Sequence, residues 1–255
     1  MHAQLALPLE LPEHSTLDEY LFGNNQALQD LLRQQREQHD QPLICLLSPP
    51  GTGRTHLLLG QCRAAQEAGL QVACMPCAQH TRWQPALLQD LARLDLIALD
   101  DIHCLAGQSA WETALFNLYN QAREQDCQLL MSAVTPAPPF HLPDLRSRLT
   151  AGITYQLRPL TDPQHEQLLS QLAARQGLSL PAAVSHYLIQ RYTRDTHHLV
   201  QLMQHLNQAS LIARRPLTVP FVRDQLIQLQ DKICRSSAPC SVSPTKPVSS
   251  NWRRD

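Results

Sequence analysis

The run Leu43-Ile-Cys-Leu-Leu-Ser48-Pro-Pro-Gly51-Thr-Gly53-Arg54-Thr55-His-Leu-Leu-Leu59 constrains this chain more than any other. Six mostly apolar residues read as a buried strand, Ser48 to Gly53 as a tight turn, and the apolar period after Arg54 as the opening of a helix. Set on the phosphate-loop pattern G-x-x-x-x-G-K-[ST], the run keeps Gly53 and Thr55. It has Ser48 in place of the first glycine and Arg54 in place of the lysine. Such a turn aims backbone N–H groups and the positive end of a helix at one point, where a phosphate fits. Pro50, Gly51, Thr52, Gly53 and His56 fall where a phosphate chain is cradled, and the Thr55 hydroxyl is a candidate Mg²⁺ ligand. Arg54 keeps the positive charge but is planar and fork-shaped, so it does not replace a lysine point charge neutrally.

Apolar runs and helical periods alternate after this point. Strands are predicted at Leu43–Ser48, Gln71–Met75, Leu94–Asp100, Gln128–Ala133 and Ile153–Leu157. Helices are predicted at Thr55–Ala68, Gln84–Arg93 and Ala110–Gln125. That alternation predicts an α/β unit with a parallel five-stranded sheet and helices on both faces. Upstream, Thr16–Gln38 reads as a capped start, a Gly23-Asn24 turn and a polar helix. From Asp162 the strands stop, and Gln164–Gln176, Pro181–Arg191, Asp195–Ile212 and Pro220–Asp231 read as a small all-helical unit. Past Ile233 Ser, Pro and Lys dominate, as in a disordered tail. The expected division is 1–12 as an extended peptide, 13–160 as the α/β unit, 161–232 as the helical unit and 233–255 as the tail.

The strand ending at Asp100 delivers two acids in succession. If it lies beside the strand that feeds the loop, Asp100 holds Mg²⁺ and Asp101 orients or deprotonates an attacking water. Charge is nearly balanced, at 21 basic against 22 acidic residues, so no strong field draws the chain to DNA by itself. Eight cysteines without regular spacing fit a reducing cytoplasm. No apolar run approaches the roughly 20 residues that span a bilayer. Cys74 and Cys77 form a lone C-x-x-C with no second pair at zinc spacing, so a metal site is not expected there.

Leu142-Pro-Asp-Leu-Arg146-Ser-Arg148-Leu149 adds a helix bearing two arginines before the fifth strand. Taken with Gly53-Arg54-Thr55-His-Leu-Leu58, Ile102–Gly107 followed by Trp111-Glu112, and Leu217–Arg223, it resembles the AAA+ domain of the bacterial replication-initiator family, DnaA. Within that family the shortened Hda group, which also has arginine in the phosphate loop, is the nearer likeness. The resemblance covers about residues 1 to 230 and implies an AAA+ P-loop core with a helical lid, ADP or ATP as cofactor with Mg²⁺ at Thr55 and Asp100, and cytoplasmic location. It implies that Tyr20, Gly23 and Asn24 meet the adenine. It makes Arg148 an arginine finger, reaching the nucleotide of a neighbouring molecule rather than its own. It puts His197 where a lid arginine senses phosphate and Val134 where an acid follows a strand tip; Arg194, one turn away, is the substitute cation.

The segment Gln4-Leu5-Ala6-Leu7-Pro8-Leu9 resembles the short peptides that dock on the β sliding clamp of DNA polymerase III, with Gln4 at the pocket edge, Leu7 and Leu9 in an apolar groove and Leu5 at its margin. The resemblance therefore implies a regulator that sits on the DNA-loaded clamp, meets DNA only through it, and provokes hydrolysis of DnaA-bound ATP, preventing re-initiation. Self-association is left open. A self-contained ATPase of helicase-loader type, working through Asp100 and Asp101, is the alternative; a DNA-binding initiator is disfavoured because a Ser/Pro tail follows the lid.

Overall fold

The structure is a computed structural model and describes residues 15–38, 43–134 and 140–236. The expected clamp peptide, with Gln4, Leu5, Leu7, Pro8 and Leu9, and the tail beyond residue 236 lie outside the described residues. Five parallel strands form one sheet: β1 (Leu43–Ser48), β2 (Val72–Pro76), β3 (Leu96–Asp100), β4 (Gln128–Val134) and β5 (Ile153–Gln156), in the order β2-β3-β4-β1-β5.

Alternation along each strand assigns the two faces. Leu43, Cys45, Ile97, Leu99, Leu129 and Met131 point to one side, against α3 (Ser109–Glu124), α4 (Pro143–Ala151) and a 3₁₀ segment at Pro85–Arg93. Ile44, Leu46, Leu96, Ala98 and Leu130 point to the other. There Leu28 and Leu32 of α1 (Gln26–Gln38) and Leu57, Leu58 and Cys62 of α2 (Arg54–Glu67) cover them. Both faces are covered, so the strands read as unbroken apolar runs. Each fully buried leucine among them contributes about 1.5–3 kcal/mol over an exposed one.

The fold departs from the sequence-based expectation in two places. The strand ending at Asp100 does not lie beside the loop-feeding strand; β4 is inserted between β3 and β1, pairing with both. The segment predicted as a helix at Gln84–Arg93 is 3₁₀, with Pro85 at its first position. Leu94 ends that segment, its N–H donating to the Leu91 carbonyl at 3.0 Å, so β3 starts at Leu96.

The lid follows as α5 (Asp162–Arg175), α6 (Ala182–Arg191), α7 (Thr196–Ala213) and α8 (Val219–Ser236). It has a core of its own around Leu188, Leu199, Met203, Leu206 and Val222. Thr161 and Gln164 form a reciprocal cap at the start of α5. Asn25, 1% exposed, ties the α/β unit to the approach of the lid. Its Nδ2 donates to the carbonyls of Phe22 (3.1 Å) and Arg158 (2.9 Å), and its Oδ1 accepts from the Arg158 N–H at 2.9 Å. No helix among the described residues is long and apolar enough to cross a membrane.

Candidate functional site

The turn from β1 into α2 depends on two glycines in the left-handed region, Gly51 at φ 80° and Gly53 at φ 86°. Each also leaves room for a neighbour. A β-carbon on Gly51 would lie 2.0 Å from Oδ2 of Asp195 on the lid, and one on Gly53 would lie 2.9 Å from the Tyr20 ring. The Tyr20 hydroxyl donates to the Thr52 carbonyl at 3.1 Å. Burial, with Tyr155 adding to it, pushes that phenol well up, so it stays a neutral donor. His56 Nε2 donates to the Thr16 carbonyl at 2.8 Å, holding the N-terminal strap on α2.

Arg54 opens α2 and folds back into the loop. Its Nη1 donates to the carbonyls of Ser48 at 2.5 Å and Pro49 at 3.1 Å, and its Nη2 donates to Oδ1 of Asp101 at 2.8 Å. The side chain is only 10% exposed, and its Nε–H is buried without a partner. A buried unpaired donor costs about 1–3 kcal/mol, so this N–H is a free donor next to the loop. That orphan donor, the glycine turn and the N-terminus of the 14-residue helix α2 together suit a phosphate chain.

The acids at the tip of β3 are wired to the same spot. Asp100, 5% exposed, accepts from Thr55 Oγ1 at 2.6 Å and from Ser132 Oγ on β4 at 2.5 Å. Burial raises its carboxyl above the ordinary range, against the pull of those two hydroxyls. Asp101 takes a left-handed φ of 55°, which Asp and Asn tolerate better than most side chains. Its N–H donates to Ser132 Oγ at 2.8 Å. Ser132 thus orders both acids across the strand that separates β3 from β1.

Over the loop lies a cleft of about 1070 Å³ between the α/β layer and the lid. Residues 49–53, Tyr20 and His56 form its floor, and residues 158–160 its back wall. From the lid come Leu168 and Arg175 of α5 and a stripe on α7 at Thr196, Val200, Gln204 and Gln208. The Thr196 N–H donates to the Gly51 carbonyl at 3.1 Å, so the start of α7 rests on the phosphate loop itself. Asp195 caps that helix, its Oδ1 accepting from the His198 N–H at 3.0 Å.

Of the predicted residues, Tyr20, Pro50, Gly51, Thr52, Gly53 and His56 line the cleft, and Arg54, Thr55, Asp100 and Asp101 form a connected set at the end of the loop. Gly23 and Asn24 are not brought to the lining. Gly23 packs on Leu160, and the exposed Asn24 accepts from Gln164 at 3.3 Å. His197 is exposed and lies 2.9 Å from Gln201, off the α7 stripe by one residue and so about 100° around the helix. Arg194 does reach the cleft, but its guanidinium is bidentate on Asp162, at 2.7 and 2.9 Å. Arg148 does not line the cleft; it lies over the Tyr119 ring of α3. Val134 ends β4 in register with Ser48. Cys74 and Cys77 pack in separate clusters on opposite faces of the sheet and do not converge.

Sequence reasoning missed Asp195, Arg158 and Arg175. The helix start before Thr196 was the one local signal for Asp195. Arg175 turns back to Glu19 at 3.3 Å, a contact that only the docking of the lid creates.

A parallel sheet in this order, a phosphate loop between β1 and α2, paired acids at the tip of β3 and a helical lid resting on the loop define an AAA+ P-loop domain. The chain belongs to the DnaA-related AAA+ family, in its Hda-like branch: the model of the bacterial DnaA ATPase domain matches residues 11–158, and that of the Hda lid domain matches residues 162–226. Solved structures agree on the fold. AMPPCP-bound DnaA from Aquifex aeolicus superposes with a TM-score of 0.71 at 18% identity, covering 89% of this chain and 73% of that one. Domain III of Thermotoga maritima DnaA gives 0.70 at 16% identity, covering 85% and 96%. The Thermotoga maritima RuvB branch-migration motor gives 0.66 at 18%, covering 84% and 72%.

Proposed function

We propose that this chain is a regulatory inactivator of the initiator DnaA, cytoplasmic and clasping an adenine nucleotide without turning it over on its own. Residues 13–160 are the nucleotide-binding unit and 161–232 its lid. Tyr20, the loop from Pro50 to Thr55 and His56 hold the nucleotide, and Thr55 and Asp100 hold Mg²⁺ beside it. Bound Mg²⁺ neutralises phosphate charge. Relatives solved with AMPPCP support an adenine nucleotide as the ligand.

The observation that carries the reading is the 2.8 Å pairing of Arg54 with Asp101. The acid that would prepare water for this chain's own nucleotide is neutralised by the arginine standing in the lysine position. Arg148 meanwhile lies off the cleft, on α4. The chemistry it offers is directed at another molecule's ATP: an arginine finger given in trans spreads the charge of the breaking phosphoryl bond and can be worth about 10³–10⁵ in rate. Residues 1–12 dock the chain on the DNA-loaded β clamp through Gln4, Leu5, Leu7, Pro8 and Leu9, with Gln4 at the rim, Leu7 and Leu9 in an apolar groove and Leu5 at its margin. A peptide of that size supports roughly micromolar binding, and several sites on one clamp ring strengthen it without new contacts.

The test is deletion of Met1–Leu9. The truncated chain is expected to keep its nucleotide but lose both clamp binding and stimulation of ATP hydrolysis by clamp-associated DnaA. Unchanged clamp binding would contradict the docking role.

A further inference from the structure

The fold closes most of the arginines near the cleft on carboxylates: Arg54 on Asp101, Arg175 on Glu19 and Arg194 on Asp162. Arg148 is held differently. Its Cζ lies 5.8 Å from the centroid of the Tyr119 ring, within cation–π range, and no carboxylate or hydrogen-bond acceptor among the described residues meets its guanidinium. The ring is a fixed object. Tyr119 is 6% exposed and packs in the core with Trp111, Leu115 and Leu118.

The same helix fixes the platform that carries Arg148. Glu112, one face of α3, accepts the N–H groups of Gly107 (2.7 Å), His141 (3.1 Å) and Leu142 (2.8 Å), and Leu142 is the residue that caps α4. Leu145, fully buried, and Leu149 then pack α4 on the α3 side of the sheet. One helix therefore grips both the start of α4 and the cation on its last turn.

A carboxylate would hold an arginine more tightly, but it would cancel the charge and occupy the N–H fork that a phosphate needs. An aromatic face attracts the cation through its quadrupole and accepts none of those N–H groups. We infer that Tyr119 is a positioning residue for Arg148: its ring places the guanidinium while leaving charge and donors available to phosphate oxygens held by another protein molecule. This rests on the in-trans role given to Arg148 above.

The experiment uses the full chain, DNA-loaded clamp and ATP-bound DnaA, and reads the initial rate of ATP hydrolysis as the chain is titrated. Tyr119→Phe keeps the ring and is expected to retain the wild-type maximal rate. Tyr119→Leu removes it and is expected to lower the maximal rate about tenfold, with the half-saturating concentration within about twofold of wild type. Tyr119→Met fills part of that core space with a flexible, ring-free side chain, and stands in if the leucine variant does not fold. Leucine or methionine variants that hydrolyse at the wild-type maximal rate, while Arg148→Ala abolishes the stimulation, would overturn the role of Tyr119. So would equal losses in the phenylalanine and leucine variants, or a change confined to half-saturation. If Arg148→Ala itself keeps the wild-type rate, it is the in-trans reading that falls.

Discussion

Oδ2 of Asp195 stands 2.0 Å from the point where a β-carbon on Gly51 would lie. The lid therefore touches the phosphate loop at a residue that must be glycine twice over, for its φ of 80° and for the carboxylate above it. The neighbouring Thr196 N–H bond to the Gly51 carbonyl makes this a seated contact. Whatever lifts α7 also exposes the loop.

Gly51→Ala is expected to unseat the lid and to weaken binding of a fluorescent ADP analogue about tenfold, the backbone strain alone amounting to about 1–3 kcal/mol. Adding Asp195→Ala removes the collision but not the strained φ, so the double variant should recover part of the loss. Additive losses in the double variant would contradict the contact.

Arg54→Ala removes the orphan Nε donor and takes from Asp101 its guanidinium partner, leaving the carboxylate with His103 Nδ1 at 3.8 Å. Its nucleotide affinity is expected to fall at least about tenfold, a loss typical of a charged hydrogen bond at a partly buried site. Steady-state ATP turnover by the wild-type chain alone should be negligible and unaffected by Asp101→Asn. Measurable turnover that Asp101→Asn abolishes would favour a self-contained ATPase instead.

Glu112 gives a pH-dependent prediction. Burial acts to raise its carboxyl, but the N–H groups of His141, Leu142 and Gly107 outweigh burial and hold it below the ordinary value of 4.5. A depressed folded value means the carboxylate adds stability that is fully present above about 4.5 and is lost as pH falls through the folded value. Glu112→Gln should therefore melt lower at neutral pH by an amount equivalent to about 1.5–3 kcal/mol. That difference from wild type should shrink as the solution is acidified below the ordinary range. A difference independent of pH would mean the side chain acts by packing alone.

The strands were legible in the sequence because a parallel sheet covered on both faces requires contiguous apolar runs such as Leu43–Leu47 and Leu96–Leu99. The phosphate loop was legible because glycines at 51 and 53 follow from local backbone geometry and Thr55 offers the hydroxyl such a loop uses. Strand order was not: no periodicity tells that β4 slips between β1 and β3, and Ser132 gained its place between Asp100 and Asp101 only through that insertion. The lid side of the site was hidden for a similar reason. Thr196, Val200, Gln204 and Gln208 line the cleft because of how α7 docks, and a one-residue offset turns His197 to solvent.

The most direct test of the account is hydrolysis of DnaA-bound ATP on DNA-loaded clamp in the presence of Arg148→Ala. The variant is expected to bind nucleotide and clamp as the wild type does, while the acceleration of ATP hydrolysis by DnaA disappears. Acceleration at the wild-type rate by Arg148→Ala would contradict the claim that this chain acts on another molecule's nucleotide.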